Sequence, residues 1–134
     1  MKDKKIILGV TGGIAVYKSA ELTRILVREG ATVHVAMTEN ATRFISPLTF
    51  ESLSGNRVIF KMFGRDREPM AHITWGQGAD LVIVAPATAN FLAKMAGGFA
   101  DDFLSTMVLA STARILLCPS MNARMYLNPV VQKN

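Results

Sequence analysis

At 134 residues the chain has the length of one domain and can bury roughly two-thirds of the surface its unfolded form exposes. Half of it is hydrophobic and its mean hydropathy is +0.28, yet no apolar run approaches the roughly eighteen residues of a membrane span, so the surplus is expected in subunit contacts. Its net charge of +5 comes from scattered basic residues apart from the N-terminal lysines and Arg65/Arg67, a pattern that gives nucleic acid no focused patch and suits a solvated surface or the attraction of phosphorylated small molecules.

The N-terminal lysines run straight into the strand Lys5–Val10, too short an apolar run for a signal-peptide core, so a cytoplasmic protein is expected. Thr11, Gly12, Gly13, Ile14 and Ala15 then open a helix over 15–29, closed by Gly30. A glycine turn between strand and helix leaves backbone N–H groups at the positive end of the helix dipole, where phosphate binds without a basic side chain. The spacing of Gly9, Gly12 and Gly13 does not match a dinucleotide fingerprint, and Tyr17 stands where a nucleoside-triphosphate loop needs glycine before Lys18.

The second strand, Thr32–Met37, ends at Thr38, where an NAD-binding fold would place a ribose-binding acid. A hydroxyl there suits the terminal phosphate of a mononucleotide, with Glu39 in reach of a ribose. Equally, Thr38 is a good N-cap for a following helix. A short helix over 47–53, a short strand over 58–60 and a polar loop over 64–69 come next.

His72 precedes the apolar, β-branched run 81–85, which reads as a central parallel strand covered on both faces. Such strands deliver ligands at their carboxyl ends. Here that end is Pro86, Ala87, Thr88, Ala89 and Asn90, small and polar residues over which a flat ligand can approach the backbone. A helix over 91–96 ends at Gly97 and Gly98, and Asp101 and Asp102 open another that runs through Ala110. The last strand, 115–118, leads into Pro119 through Met125. Cys118, the one cysteine, makes no internal disulfide and rules out a cysteine-based zinc site, so no metal is expected; it reads as core. Trp75 suits packing or a subunit contact better than stacking on a ligand ring. Alternating strands and helices predict an α/β fold, a Rossmann-like doubly wound parallel sheet of about five strands in a flavodoxin-like three-layer sandwich, with its binding turns on one edge.

These motifs together, Gly12-Gly13-Ile14-Ala15 with Tyr17-Lys18, His72, Pro86 to Asn90, Asp101-Asp102 and Pro119 to Met125, resemble the homo-oligomeric flavin-containing cysteine decarboxylases, in particular the phosphopantothenoylcysteine decarboxylase flavin domain that opens the bifunctional flavoproteins of coenzyme A biosynthesis. The resemblance covers nearly the whole chain. It implies FMN held by Gly12, Gly13, Ile14, Ala15, Thr38, Pro86, Ala87, Thr88, Ala89, Asn90 and Met121, between subunits of a homotrimer that can assemble into a dodecamer. It implies oxidative decarboxylation of phosphopantothenoylcysteine through a thioaldehyde and an enethiolate, then reduction to phosphopantetheine. His72 resembles the catalytic base, for which imidazole is suited, and Asn122, with Met125 beside it, resembles the residue that binds the substrate carboxylate. On residue type alone, His72 also fits a surface position at a helix start and Asn122 the start of the final helix. The family carries a clamp with a proton-donating cysteine beyond the part matched here, and in many bacteria a ligase domain. Neither lies within these residues, so a single FMN-binding domain over 1–134 is expected, with a slow final reduction. A peptide cysteine decarboxylase, a flavin prenyltransferase and a non-catalytic flavin-binding regulatory subunit are the alternatives. His72 together with Asn122 favours cysteine decarboxylation over prenyl transfer.

Overall fold

A computed structural model describes residues 1–63 and 70–134; the polar loop expected over 64–69, with Arg65 and Arg67, lies outside them. Four parallel strands, β1 (Lys5–Val10), β2 (Thr32–Met37), β3 (Leu81–Ala87) and β4 (Arg114–Pro119), form one sheet in the order β2-β1-β3-β4. The expected fifth strand over 58–60 does not form. Ile59 makes only an isolated parallel bridge to Ala36, so the short apolar run does not extend into a ladder.

The helices are α1 (Val16–Arg28), α2 (Glu39–Thr42), α3 (Pro47–Ser54), α4 (Ala71–Gly78), α5 (Ala89–Gly97), α6 (Phe103–Ala110), α7 (Ala123–Tyr126) and α8 (Pro129–Lys133). Successive side chains of a strand point to opposite faces, and the sheet sorts accordingly. Ile6, Leu8, Val10, Val33, Val35, Met37 and Ile83 pack with Val16 and Leu26 of α1 and Phe50 of α3. Ile7, Ala36, Val82 and Val84 pack on the other face with Trp75, Phe91, Phe103, Leu104 and Met107 from α4, α5 and α6. This is the three-layer sandwich that the alternation of elements implies. Cys118 is partly buried against the first cluster, as expected of a packing cysteine. No helix among the described residues is long and apolar enough to cross a membrane.

Helix ends follow local chemistry. Gly30, Gly55 and Gly98 adopt positive φ, a conformation in which a side chain would be strained, and each stops the helix before it. Asp102 caps α6 in a reciprocal capping box with Ser105, so the Asp101-Asp102 pair begins that helix as the sequence suggests. Helix α4 has no side-chain cap. It is held from outside instead: Trp75 is buried, 5.0 Å from the ring of His34 and 5.6 Å edge-on to Phe103, the packing role expected of it. Ser111 Oγ donates to Gly76 O at 3.0 Å.

Gly76 is where α4 and α6 approach most closely, since an added Cβ would lie 2.9 Å from Met107 O and 3.2 Å from the Ala110 carbonyl carbon. Both obstacles are backbone and cannot swing aside. Gly76→Ala is therefore expected to destabilise the fold by about 1–3 kcal/mol, the range for overpacking a tight contact, seen as a lowered thermal midpoint. An unchanged midpoint would show that the two helices separate freely.

Candidate functional site

All four strands are parallel, so their carboxyl ends share one edge, and a cleft of about 790 Å³ opens there. That volume suits a ligand of cofactor size. Its walls come from every strand-to-helix turn: Thr11, Gly12, Gly13 and Ile14 after β1; Thr38, Glu39 and Asn40 after β2; Thr88, Ala89 and Asn90 after β3; and Ser120, Met121, Asn122 and Met125 after β4. The β1 and β2 turns touch. A Cβ on Gly12 would sit 2.6 Å from Asn40 Cβ and 2.9 Å from its carbonyl carbon, so only glycine permits this approach. The β4 turn is brought in by the sheet itself, where Ala87 pairs with Pro119 and Ser120 N–H donates to Ala87 O at 3.1 Å.

Of the residues that the sequence assigns to the site, Gly12, Gly13, Ile14, Thr38, Thr88, Ala89, Asn90, Met121, Asn122 and Met125 line the cleft. Ala15, Pro86, Ala87 and His72 do not. Pro86 and Ala87 are buried inside the strand end, where they shape the wall from behind. His72 lies in the first turn of α4. Helices α4 and α6 each lead into the amino end of a strand, β3 and β4, and these strands are parallel, so the two helices run in the same sense. Asp102, the cap of α6, borders the cleft, so His72 lies toward the same edge of the molecule but beyond the cleft rim of a single chain.

Several wall residues both cap a helix and face the cleft. Thr38 accepts from Ala41 N–H at 3.3 Å and Thr88 from Phe91 N–H at 3.3 Å, which leaves each hydroxyl proton available as a donor. The two readings of Thr38 are thus compatible. Asn122 Oδ1 accepts from Arg124 N–H at 2.8 Å, so it does begin a helix, and that bond orients its carboxamide with the NH2 group as the end left to donate.

Although the chain is basic, the cleft is not. Its charged wall residues among those described are Glu39, Asp101, Asp102 and one cation, Lys94. Lys94 Nζ is held 2.8 Å from Asp101 and 2.9 Å from Asp102. Burial is the largest single influence on Lys94 and opposes its charge, but the hydrogen bonds and charges of the two carboxylates together outweigh it and raise its pKa. The same bond from Lys94 holds the Asp101 carboxyl below its usual range. Neither Lys94 nor the overall charge therefore offers a free cation to a phosphate. What remains is backbone: α1 has no side-chain cap and no acid in its first turn, and the N–H groups of Gly12, Gly13, Ile14, Ala89 and Asn90 find no acceptor among the described residues. Unpartnered N–H groups at a helix's positive end form an anion site.

Sequence reasoning placed Thr11, Asn40 and Ser120 within its binding turns without assigning them to the site one by one, missed Lys94, and read Asp101 and Asp102 only as helix-opening acids. The spacing of Lys94 to Asp101–Asp102 was the available signal. It lies across a Gly-Gly break, where helical periodicity does not carry. The linkage of this trio has a definite sign. With the Asp101 pKa depressed, its contribution is present above the unfolded carboxyl range and is lost as pH falls through the folded value; with Lys94 raised, its contribution is present below the ordinary lysine range and is lost as pH rises through the folded value. Lys94→Met is therefore expected to lower stability at neutral pH by about 1 kcal/mol, since Asp101 is largely exposed, and to approach the parent in acid where Asp101 is protonated. Thermal melts at both pH values check this; an equal deficit in acid would mean the loss is packing and not charge.

A family model described as Flavoprotein matches residues 1–134. The chain is 48% identical over 136 residues to the coenzyme A biosynthesis bifunctional protein CoaBC of Bacillus subtilis, covering 100% of this chain and 33% of that protein. It is 48% identical over 135 residues to the CoaBC protein of Escherichia coli, again with 33% of that protein covered. It thus spans about a third of the length of the curated relatives it matches. Among solved structures, the FMN-dependent cysteine decarboxylase SpaF superposes with a TM-score of 0.90 at 31% identity, covering 97% of this chain and 75% of that one. A PPC decarboxylase variant complexed with pantothenoylaminoethenethiol superposes with a TM-score of 0.83 at 26% identity, covering 98% and 75%. With its whole described length matched and its cleft built from the strand-end turns, the chain belongs to the flavoprotein family.

Proposed function

We propose that the chain binds FMN in this cleft and carries the decarboxylation of 4'-phosphopantothenoylcysteine to 4'-phosphopantetheine in coenzyme A biosynthesis. The observation that carries the reading is the meeting of two sets of groups in one cleft: unpartnered N–H groups and capping hydroxyls suited to a phosphate, and the outward amide of Asn122 with Met121 and Met125 beside it. The residues fit FMN because its single phosphate can be met by the turns at Gly12–Gly13, Thr38 and Thr88–Asn90, and its flat ring by small and thioether side chains. When bound, the flavin supplies the acceptor of two electrons.

The protein's own part is binding and proton control. Asn122 donates its amide N–H to the substrate carboxylate, holding it without an ion pair that would oppose loss of CO2. As the substrate's CH2–SH becomes a thioaldehyde, its thiol proton must leave, and His72 is the base assigned to take it. Because His72 lies beyond the rim of one chain's cleft, the same proposal includes a second copy, within a homotrimer that can assemble further to a dodecamer, so that one subunit's His72 faces another's cleft. The exposed Ile14 on the cleft wall, 78% accessible, suits burial in such a contact. Cytoplasmic location belongs to the proposal too, and the unpaired Cys118 fits a reducing compartment.

Three measurements check this. Mass spectrometry of the released ligand should identify FMN; FAD or NAD at full occupancy would overturn the mononucleotide reading. His72→Asn should keep its flavin while CO2 release from phosphopantothenoylcysteine falls to background, and comparable turnover in that variant would remove the base role. For Asn122→Leu, flavin is expected to remain while substrate affinity is lost, because the carboxylate is then desolvated without a donor. Unchanged affinity would reduce Asn122 to a helix cap.

A further inference from the structure

The β3–α5 turn is tied to the first strand and first helix by two hydroxyls that the proposed reaction does not use. Thr11 is 1% exposed and so is Ser19. Thr11 follows the apolar strand β1, where valine of the same shape would avoid desolvating a hydroxyl, so the oxygen's presence calls for partners. It has them: Thr11 Oγ1 donates to Pro86 O at 2.6 Å and accepts Thr88 N–H at 3.0 Å. One helical turn into α1, Ser19 Oγ donates to Ala85 O at 2.5 Å. The two carbonyls held are consecutive, and both belong to the strand end from which the cleft wall is built.

A hydroxyl carries one proton. With Thr11's proton on Pro86 O, the 3.3 Å contact between Thr11 Oγ1 and Thr88 Oγ1 can be bridged only by the proton of Thr88. Thr88 Oγ1 meanwhile accepts Phe91 N–H. Its own proton is thus free to turn from Thr11 and to be donated to a ligand oxygen in the cleft. Thr11 also takes up Thr88 N–H, so the N–H groups left without partners at this helix start are those of Ala89 and Asn90, both on the wall.

We propose that Thr11 and Ser19 are positioning residues for the flavin site: their buried hydroxyls hold the 85–88 turn so that the Thr88 hydroxyl and the Ala89 and Asn90 N–H groups are aimed at an oxygen-rich part of the ligand, its phosphate or ribityl chain. The inference rests on the FMN reading above. Neither residue supplies a hydrogen bond to the ligand, since Thr11's oxygen is already occupied and Ser19 is bonded behind the turn.

Flavin affinity is the measurement that tests it, read by fluorescence quenching on the flavin-free chain well below its melting temperature, with the visible circular dichroism of the bound flavin recorded alongside. Thr11→Val removes both bonds at constant shape and is expected to weaken FMN binding by about tenfold or more, the loss of roughly one buried hydrogen bond to each partner, with an altered dichroism spectrum. Thr11→Ser restores the oxygen and should return affinity to within about threefold of the parent. Should Thr11→Val fail to fold, Ser19→Ala decides: weakened binding in a folded chain supports the clamp, and parental binding overturns it. A Thr11→Val chain that melts earlier but, once folded, binds FMN with parental affinity and spectrum would show a purely structural hydroxyl and overturn the proposal. Failure of the parent chain itself to take up FMN would overturn the cofactor reading and this inference with it, and is recognised before any variant is compared.

Discussion

The constraint on which the site depends is the absence of a free cation among the described residues of its wall. Lys94, the one ammonium among them, is held by Asp101 and Asp102, so what the described wall offers a phosphate is backbone N–H groups and capping hydroxyls. Such donors are weak singly and strong when several converge. Their convergence is set by how the strand ends sit, and it follows that the parallel sheet, the Gly12–Asn40 contact and the hydroxyl ties to the β3–α5 turn are requirements of binding as much as of folding.

This explains why the capping residues and the proposed ligand donors coincide. An N-cap oxygen accepts a backbone N–H, and that fixes which part of its side chain faces outward. Thr38 and Thr88 are left with a hydroxyl proton and Asn122 with an amide NH2, all donors, around a cleft whose proposed ligands present phosphate and carboxylate. The wall's acidic excess, from Glu39 and the Lys94 trio, lies among these donors and does not replace them. A basic chain therefore need not have a basic site.

Much of this was legible in the sequence, and what was not has a common cause. The strand run at 81–85, the glycine turn after β1, the Gly30 and Gly97-Gly98 helix stops and the helix-opening Asp101-Asp102 pair are local signals, read from residues within a turn of one another. The carboxyl-edge location of the cleft follows from parallel strands, so the turns at 11–15, 38–42, 86–90 and 119–125 could be grouped before any coordinates. Helix α4 was not assigned, because its uncapped start and weak amphipathicity leave it to be fixed by Trp75 against Phe103 and Gly76 against Met107. The strand expected over 58–60 is a single bridge. Thr11 and Ser19 were passed over because their partners lie 75 and 66 residues away, beyond any local pattern. His72 carries chemistry by residue type and resemblance, but where it stands relative to one chain's cleft is a property of helix packing that the sequence did not reveal.

In the proposed site the ligand's phosphate is held by backbone and hydroxyl donors at the strand ends, with no cation of the described wall involved. The most direct measurement compares the affinities of FMN and riboflavin for the flavin-free chain, in the parent and in Lys94→Met. FMN is predicted to bind far more tightly than riboflavin, and the ratio is predicted to survive loss of the lysine. Equal affinities for the two flavins would contradict the claim, and so would a ratio that collapses in Lys94→Met, which would assign the phosphate to the lysine that the structure shows already paired.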